Sequence, residues 1–270
     1  MSPLTPYDGR ARLPLRKVNH EDAEPFYVVI TKIFGFLMRR TTRQDWGPPD
    51  LPATGGVIVC PNHIANFDPP AVGHFVMWSG RFPHFLSKVE VFRIPVIGWI
   101  ARNCGQIPVL RGTERASDAL VAARQALAAG RCIVIYPEGT RTFDPDLWPM
   151  TGRSGAARLA LATRSPVIPL GNWGAEQVMP GRRVTWPRFF PRKTMHVRAG
   201  APVALDDLYP DAGAEASPEA VHEATDRILD ALTALVADLR GETPPTGRWD
   251  SRLGRRVERE PGASGGDSID

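Results

Sequence analysis

The stretch Gly55–Pro70, GGVIVCPNHIANFDPP, decides how this chain is read. Val57, Ile58 and Val59 follow one another without a polar residue, which is the pattern of a strand. Pro69 and Pro70 begin ten residues after Val59, and proline is tolerated in the first turn of a helix. The stretch therefore reads as strand, corner, helix, with His63 and Asp68 in the corner. Positions five apart lie about 140° apart on a helix and on opposite faces of a strand. The two side chains meet only if the chain bends between Pro61 and Pro69. If they meet, the carboxylate accepts one imidazole N–H, sets the tautomer and leaves the other nitrogen free as a base. The same residues also fit a packing role, with Asp68 as helix N-cap and His63 as a half-buried histidine.

Outward from this corner, strand and helix alternate. GVIVC (56–60), CIVIY (132–136), PVIPL (166–170) and MHVRAGAPV (195–203) are β-branched runs. Between them, 114–130 is alanine-rich and stops at Gly130, and 155–163 reads as a further helix. Residues 217–240 close the pattern, with Ser217 as cap, Pro218 at the first helical position, Gly241 after the end, and a core stripe of Val221, Ile228, Leu232, Leu235 and Leu239. The expected fold class is α/β, a largely parallel sheet flanked by helices, over residues 45–240.

The flanks read differently. Residues 1–22 are polar and proline-containing and are expected to be loosely ordered. Residues 23–44 read as a basic amphipathic helix, with Phe26, Tyr27, Ile30, Phe34, Leu37 and Met38 on one face and Lys32, Arg39 and Arg43 opposite. That face suits either an anionic bilayer surface or the domain itself. Residues 241–270 are rich in Gly, Pro, Arg and acids and are expected to be a disordered tail. The tail contains GASGG at 262–266, which lacks the strand and helix that a nucleophile elbow needs.

Composition narrows the classes further. Of 270 residues, 43% are hydrophobic and 23% charged, with a net charge of +4. That suits one sizeable globular core and permits an anionic partner without requiring one. Lysine occurs only at Lys17, Lys32, Lys88 and Lys193, so nearly all cations are arginine. Cys60, Cys104 and Cys132 form no C-x-x-C pair, and Cys60 with His63 has no second ligand pair for zinc, so no metal is expected. No secretory signal opens the chain, and Phe26–Met38, interrupted by Lys32, is too short to span a bilayer. No G-x-G-x-x-G or Walker loop supports a nucleotide-binding role, and no nucleic-acid partner is expected.

A second stretch, YPEGTR (136–141), reads as a turn after a strand, with Pro137 second and Gly139 fourth. At the carboxyl edge of a parallel sheet, Arg141 would be placed to grip a phosphate. In order along the chain come NH-x4-D (62–68), G-x-I-x-V-x-R (105–111), PEGTR (137–141) and VIPL (167–170). This order resembles the motif pattern of the glycerolipid acyltransferase family, nearest its bacterial 1-acyl-glycerol-3-phosphate acyltransferases, over roughly residues 50–180. NFDPP, FRIPVIGW and GNWG add to the likeness. The chain departs from the pattern in GQIPVLR, which lacks the aromatic and Asp before the Arg. It departs again at Thr142, and in TGRSG, where only Arg153 is cationic.

The resemblance implies acyl transfer from acyl-CoA or acyl-carrier protein to the free hydroxyl of 1-acylglycerol 3-phosphate, without an acyl-enzyme or cofactor. It implies His63 as base and Asp68 as its partner. Lys88, Arg111 and Arg141 would hold the acceptor's phosphate in a pocket shaped by Glu138, Gly139 and Thr140. Val167, Ile168, Pro169 and Leu170 would border the acyl site. Such an enzyme would work at the cytoplasmic face of the membrane, with the 23–44 helix on the anionic surface. Another acceptor, such as glycerol 3-phosphate, a different lysophospholipid or a glycolipid, remains an alternative, as does a non-catalytic membrane scaffold.

Overall fold

The apolar run after Gly56 forms strand β2 (Val57–Pro61), and all of its residues are buried. A computed structural model describes residues 9–110, 116–181, 185–211 and 213–258. Around β2 lie β1 (Thr42–Trp46), β3 (Pro83–Lys88), β4 (Ile107–Val109), β5 (Cys132–Val134), β6 (Val167–Trp173) and β7 (Lys193–Ala199). The order across the sheet is β1-β7-β6-β2-β5-β3-β4. The pairs β2–β5, β2–β6, β3–β5 and β3–β4 are parallel, as is β1–β7. Within this sheet, β6–β7 is the one antiparallel pair among the described residues, so the expected largely parallel α/β sheet is what forms.

Alternation along β2 builds the two faces. Val57 and Val59 enter one core cluster with Val72, Phe75 and Val134. Ile58 and Cys60 enter the other with Ala123, Ala157 and Ile228. Successive strand side chains point to opposite faces, so one short run serves both layers. Each fully buried Val or Ile here contributes about 1.5–3 kcal/mol. Helices α1 (Leu15–Val18), α2 (Pro25–Thr41) and α3 (Asp68–Trp78) cover the first face. Across the sheet lie α5 (Ala116–Ala128), α6 (Gly155–Thr163) and α8 (Pro218–Arg240). Short helices α4 (Ile97–Asn103) and α7 (Ala175–Val178) sit in connections. In α8 the Ser217 Oγ accepts Ala220 N–H at 3.1 Å, and Gly241 ends the helix at φ 63°.

Three expectations for the flanks are corrected. Residues 9–22 are packed rather than loose: Ala11 and Leu15 are buried, Trp78 Nε1 donates to Leu13 O at 3.0 Å, and Asn19 Nδ2 donates to Met77 O at 2.9 Å. A few contacts to α3 order a segment whose composition is polar. The 23–44 helix ends at Thr41, because Thr42–Trp46 pairs with β7; Arg43 therefore lies on a strand. The fully buried residues of α2 are Tyr27, Thr31, Gly35 and Met38; Phe26, Ile30 and Phe34 of the expected stripe pack against the same core, and Leu37 is the stripe residue left exposed. The tail carries a hairpin of β8 (Arg248–Asp250) and β9 (Arg255–Val257). It is pinned by Arg248 to Asp226 and Asp230, and by Arg256 to Asp144 and Asp146. These partners are distant in sequence and invisible to composition. Residues 259–270, with GASGG, lie outside the described residues.

Gly35 decides how closely α2 approaches α3. A Cβ there would stand 2.1 Å from the Trp78 ring. Gly35→Val is expected to cost about 1–3 kcal/mol, the scale of overpacking. A lowered unfolding midpoint in urea is the check, and an unchanged midpoint would mean the helix pair yields freely.

Candidate active site

Beyond Pro61 the chain leaves the sheet at its carboxyl edge and turns back into α3. Asp68 is the first helical residue, and Phe67 occupies the cap position. The two residues after Asp68 are prolines and have no N–H to offer a capping side chain. The carboxylate turns backward instead. Its Oδ2 accepts Ile64 N–H at 2.6 Å, Ala65 N–H at 2.8 Å and the His63 ring at Nδ1, 2.8 Å. Asp68 is wholly buried and His63 partly exposed, with side-chain exposures of 0% and 18%. An ionised carboxylate only accepts hydrogen bonds, so Nδ1 carries the proton and Nε2 keeps its lone pair. Tyr136 stacks on the imidazole, with ring centroids 4.2 Å apart. Its buried phenol is pushed well above the usual range, first by burial and then by the Asp68 charge. Tyr136 covers one face of the His63 ring.

The second motif locks the first. Gly139 N–H bonds Tyr136 O at 3.0 Å, closing the turn expected from Pro137 and Gly139. Gly139 has φ +71°, and a Cβ there would stand 2.9 Å from Arg153 Cγ, so glycine fits on both counts. Glu138 is buried, with its Oε1 on His63 N–H at 2.9 Å and its Oε2 on Met150 N–H at 3.1 Å. Thr142 N–H bonds His63 O at 2.7 Å. His63 is thus held through its backbone on both sides by the 137–142 segment. Burial pushes the Glu138 carboxyl up to about 8, against the two N–H donors that pull it down. Glu138, expected to shape a phosphate pocket, spends both oxygens on backbone N–H groups inside the protein.

A further lock was not legible beforehand. Asn62 and Asn172 form a reciprocal pair: Asn62 Nδ2 donates to Asn172 O at 3.0 Å, and Asn172 N–H donates to Asn62 Oδ1 at 2.8 Å. This ties the residue before His63 to the end of β6. The signal was the asparagine in NH-x4-D and the one in GNWG, both quoted above without a role.

The remaining expected residues distribute along the same edge. Lys88 ends β3, in register with Val109, the last residue of β4. Arg111 lies two residues beyond it, outside the described residues. Arg141 is partly exposed, with Nη1 donating to Gly181 O at 3.1 Å, and Thr140 is partly exposed beside it. Val167, Ile168 and Leu170 are at most 1% exposed and belong to the two core clusters. With Pro169 they pair with β2 from Ile58 to Pro61. Their side chains are packed in the core. What the strand contributes is the position of β2 and of Asn172.

A free imidazole nitrogen, a buried carboxylate behind it and arginine nearby suit proton removal from a hydroxyl on an anionic acceptor. An acyltransferase family model matches residues 44–173, which contain the whole of this arrangement. The chain is 35% identical over 102 residues to a chloroplastic 1-acyl-sn-glycerol-3-phosphate acyltransferase of Brassica napus, covering 37% of this chain and 29% of that protein. It is 31% identical over 187 residues to a 1-acyl-sn-glycerol-3-phosphate acyltransferase of Chlamydomonas reinhardtii, covering 67% of this chain and 50% of that one. The chain thus spans half or less of the length of these curated relatives. Its fold matches the crystal structure of the 1-acyl-sn-glycerophosphate (LPA) acyltransferase of Thermotoga maritima with a TM-score of 0.59. At 22% identity, over 82% of this chain and 83% of that one, this likeness concerns the fold. Residues 44–173, which carry the paired His63 and Asp68, are thus similar to the acyltransferase family.

Proposed function

We propose that the protein transfers an acyl group from an acyl thioester, acyl-CoA or acyl-carrier protein, to the free hydroxyl of 1-acylglycerol 3-phosphate, giving phosphatidic acid. The observation that carries this reading is the His63–Asp68 pair, at 2.8 Å, with Nε2 left free at the sheet's carboxyl edge. Nε2 takes the hydroxyl proton as the acceptor oxygen bonds to the thioester carbonyl carbon. The tetrahedral intermediate collapses, the C–S bond breaks, and the imidazolium returns the proton to the thiolate. Asp68 stabilises the imidazolium during these steps. A thiolate leaves readily, so no acyl-enzyme is needed and the protein's own groups suffice without a cofactor.

Lys88, Arg111 and Arg141 are the cations assigned to the acceptor's phosphate. Arg141→Ala is expected to raise KM for the acceptor about tenfold or more with kcat nearly unchanged, because a charged hydrogen bond made equally in ground and transition states is lost. An unchanged KM would remove Arg141 from the site. The surface on which the reaction takes place is assigned to the membrane. The solvent side of α2 exposes Val29, Ile33, Phe36 and Leu37 by 52–53% each. Trp99 is 53% exposed and meets Phe26 edge-on at 4.9 Å, which joins α4 to this surface. No helix among the described residues is long and apolar enough to cross a membrane.

Thiol release from an acyl-CoA on adding 1-acylglycerol 3-phosphate is the direct test. The departure at TGRSG, which leaves Arg153 beside the PEGTR turn as its one cation, favours running an acceptor panel in the same assay. Release with glycerol 3-phosphate or another lysolipid, and none with 1-acylglycerol 3-phosphate, would change the acceptor and keep the chemistry.

A further inference from the structure

At the carboxyl-terminal end of α2, four arginines converge on one cavity. Its volume is about 500 Å³, and it is lined by Arg12, Arg39, Arg43, Gln44, Arg192 and Thr194. The arginines arrive from four places: the 3-10 turn at Arg10–Arg12, the last turn of α2, strand β1, and the residue before β7. Arg43 and Thr194 are register partners, so the β1–β7 pairing fixes one wall. None of the lining residues is acidic. Asp45, two residues along β1, is taken up by His196 at 2.7 Å and Arg198 at 3.1 Å.

Part of this charge has a local use. Arg192 Nη2 donates to the carbonyls of Arg39 and Thr42, each at 2.5 Å, which serves the orphan carbonyls at the end of α2. Arg39 lies over the Trp78 ring at 5.2 Å. These contacts orient two guanidinium groups. A helix end does not call for four like charges around one cavity, and their mutual repulsion favours an anion between them. The planar guanidinium fork matches phosphate oxygens bidentately.

The place of the cavity says where such a phosphate would come from. β7 runs antiparallel to β6 and pairs with β1, so Thr42 and Lys193 lie at the edge where β6 ends. That is the edge carrying His63. β1 is three strands from β2 in the sheet order, roughly 14 Å away at the usual strand spacing. Met38, at the end of α2, packs in one cluster with Ile64, Ala65 and Phe67 of the catalytic corner. The exposed apolar side of α2 runs toward the same end, and there Arg40 lies over Phe36 at 5.3 Å. Apolar side chains followed by arginines are the layout of an interfacial helix, with the cations at the depth of the headgroup phosphates.

We propose that the Arg12–Arg39–Arg43–Arg192 cavity binds the phosphate of an anionic phospholipid and so sets the catalytic edge of the sheet against the membrane. The proposal rests on the membrane part of the proposed function and not on the acyl transfer.

The test is sedimentation of the full chain with phosphatidylcholine vesicles, with and without phosphatidic acid. Variants are Arg12→Gln with Arg43→Gln, Arg12→Lys with Arg43→Lys, and Arg124→Gln with Arg252→Gln as a charge-matched control outside the cavity. Wild type should bind the anionic vesicles more tightly. The cavity Gln pair should lose about tenfold or more of that binding, the Lys pair should lose part of it, and the control pair should keep it. Turnover of detergent-dispersed substrate, which needs no bilayer, should stay at the wild-type level in all three and reports on the acyl-transfer reading separately. Equal losses in the cavity and control pairs would reduce the effect to bulk charge and overturn the proposal. So would an unchanged cavity pair. Tight Arg12- and Arg43-dependent binding of inorganic phosphate, with no preference for anionic vesicles, would assign the cavity to a soluble phosphate and overturn the lipid.

Discussion

Replacing His63 by alanine is expected to lower acceptor-dependent thiol release by about 10²-fold or more, the scale of a general base. The loss should fall on kcat, because the imidazole acts on the proton in flight and not on bound substrate. The variant should remain folded. Glu138 and Thr142 hold residue 63 through its backbone N–H and C=O, which alanine retains. Asp68→Asn probes the partner. An amide presents N–H where the carboxylate accepted three hydrogen bonds on one oxygen. The ring tautomer and the corner itself would both be disturbed, so this variant should lose activity and stability together. Full activity in a folded His63→Ala protein would end the general-base mechanism.

The second large effect belongs to Glu138. Glu138→Ala leaves the N–H groups of His63 and Met150 without their acceptors inside the protein. Each orphaned donor costs about 1–3 kcal/mol, so a loss of about 2–6 kcal/mol is expected, with activity falling as His63 loses its anchor. The pH dependence has a definite sign. The folded carboxyl titrates at about 8 and the free group at 4.5, with burial as the first cause. Between those values the folded state holds the proton more than the unfolded one does, so this group's contribution is full below about 4.5 and is lost as pH rises through about 8. Urea midpoints across that window should fall with rising pH for wild type, and the slope should flatten in Glu138→Gln, which cannot ionise. A wild-type slope of the opposite sign, or one unchanged in Glu138→Gln, would remove Glu138 as its source.

How much of this was legible beforehand differs from element to element. The corner at 62–68 was readable because its parts are local: an apolar run, a bend and two prolines lie within a few residues of each other. The α/β class followed from the same kind of signal repeated along the chain, and α8 announced itself by Ser217, Pro218 and Gly241. Asn62 and Asn172 are 110 positions apart, and Arg256 and Asp144 are 112 apart. No periodicity links such pairs, and a polar residue destined for burial looks the same in a sequence as one left in water. The contact of Glu138 with the backbone of His63 is hidden for the same reason. The face that α2 turns to the domain is likewise set by a distant partner. Its center is Gly35, chosen for closeness to Trp78 and not for hydrophobicity. Local conformations, the order of the motifs and the residue types available for chemistry are written along the chain, because they rest on nearest-neighbour sterics and burial period. Which polar groups face each other and which arginines share a cavity is settled by the packed fold. Those pairings depend on how elements far apart in the chain are brought together by the sheet.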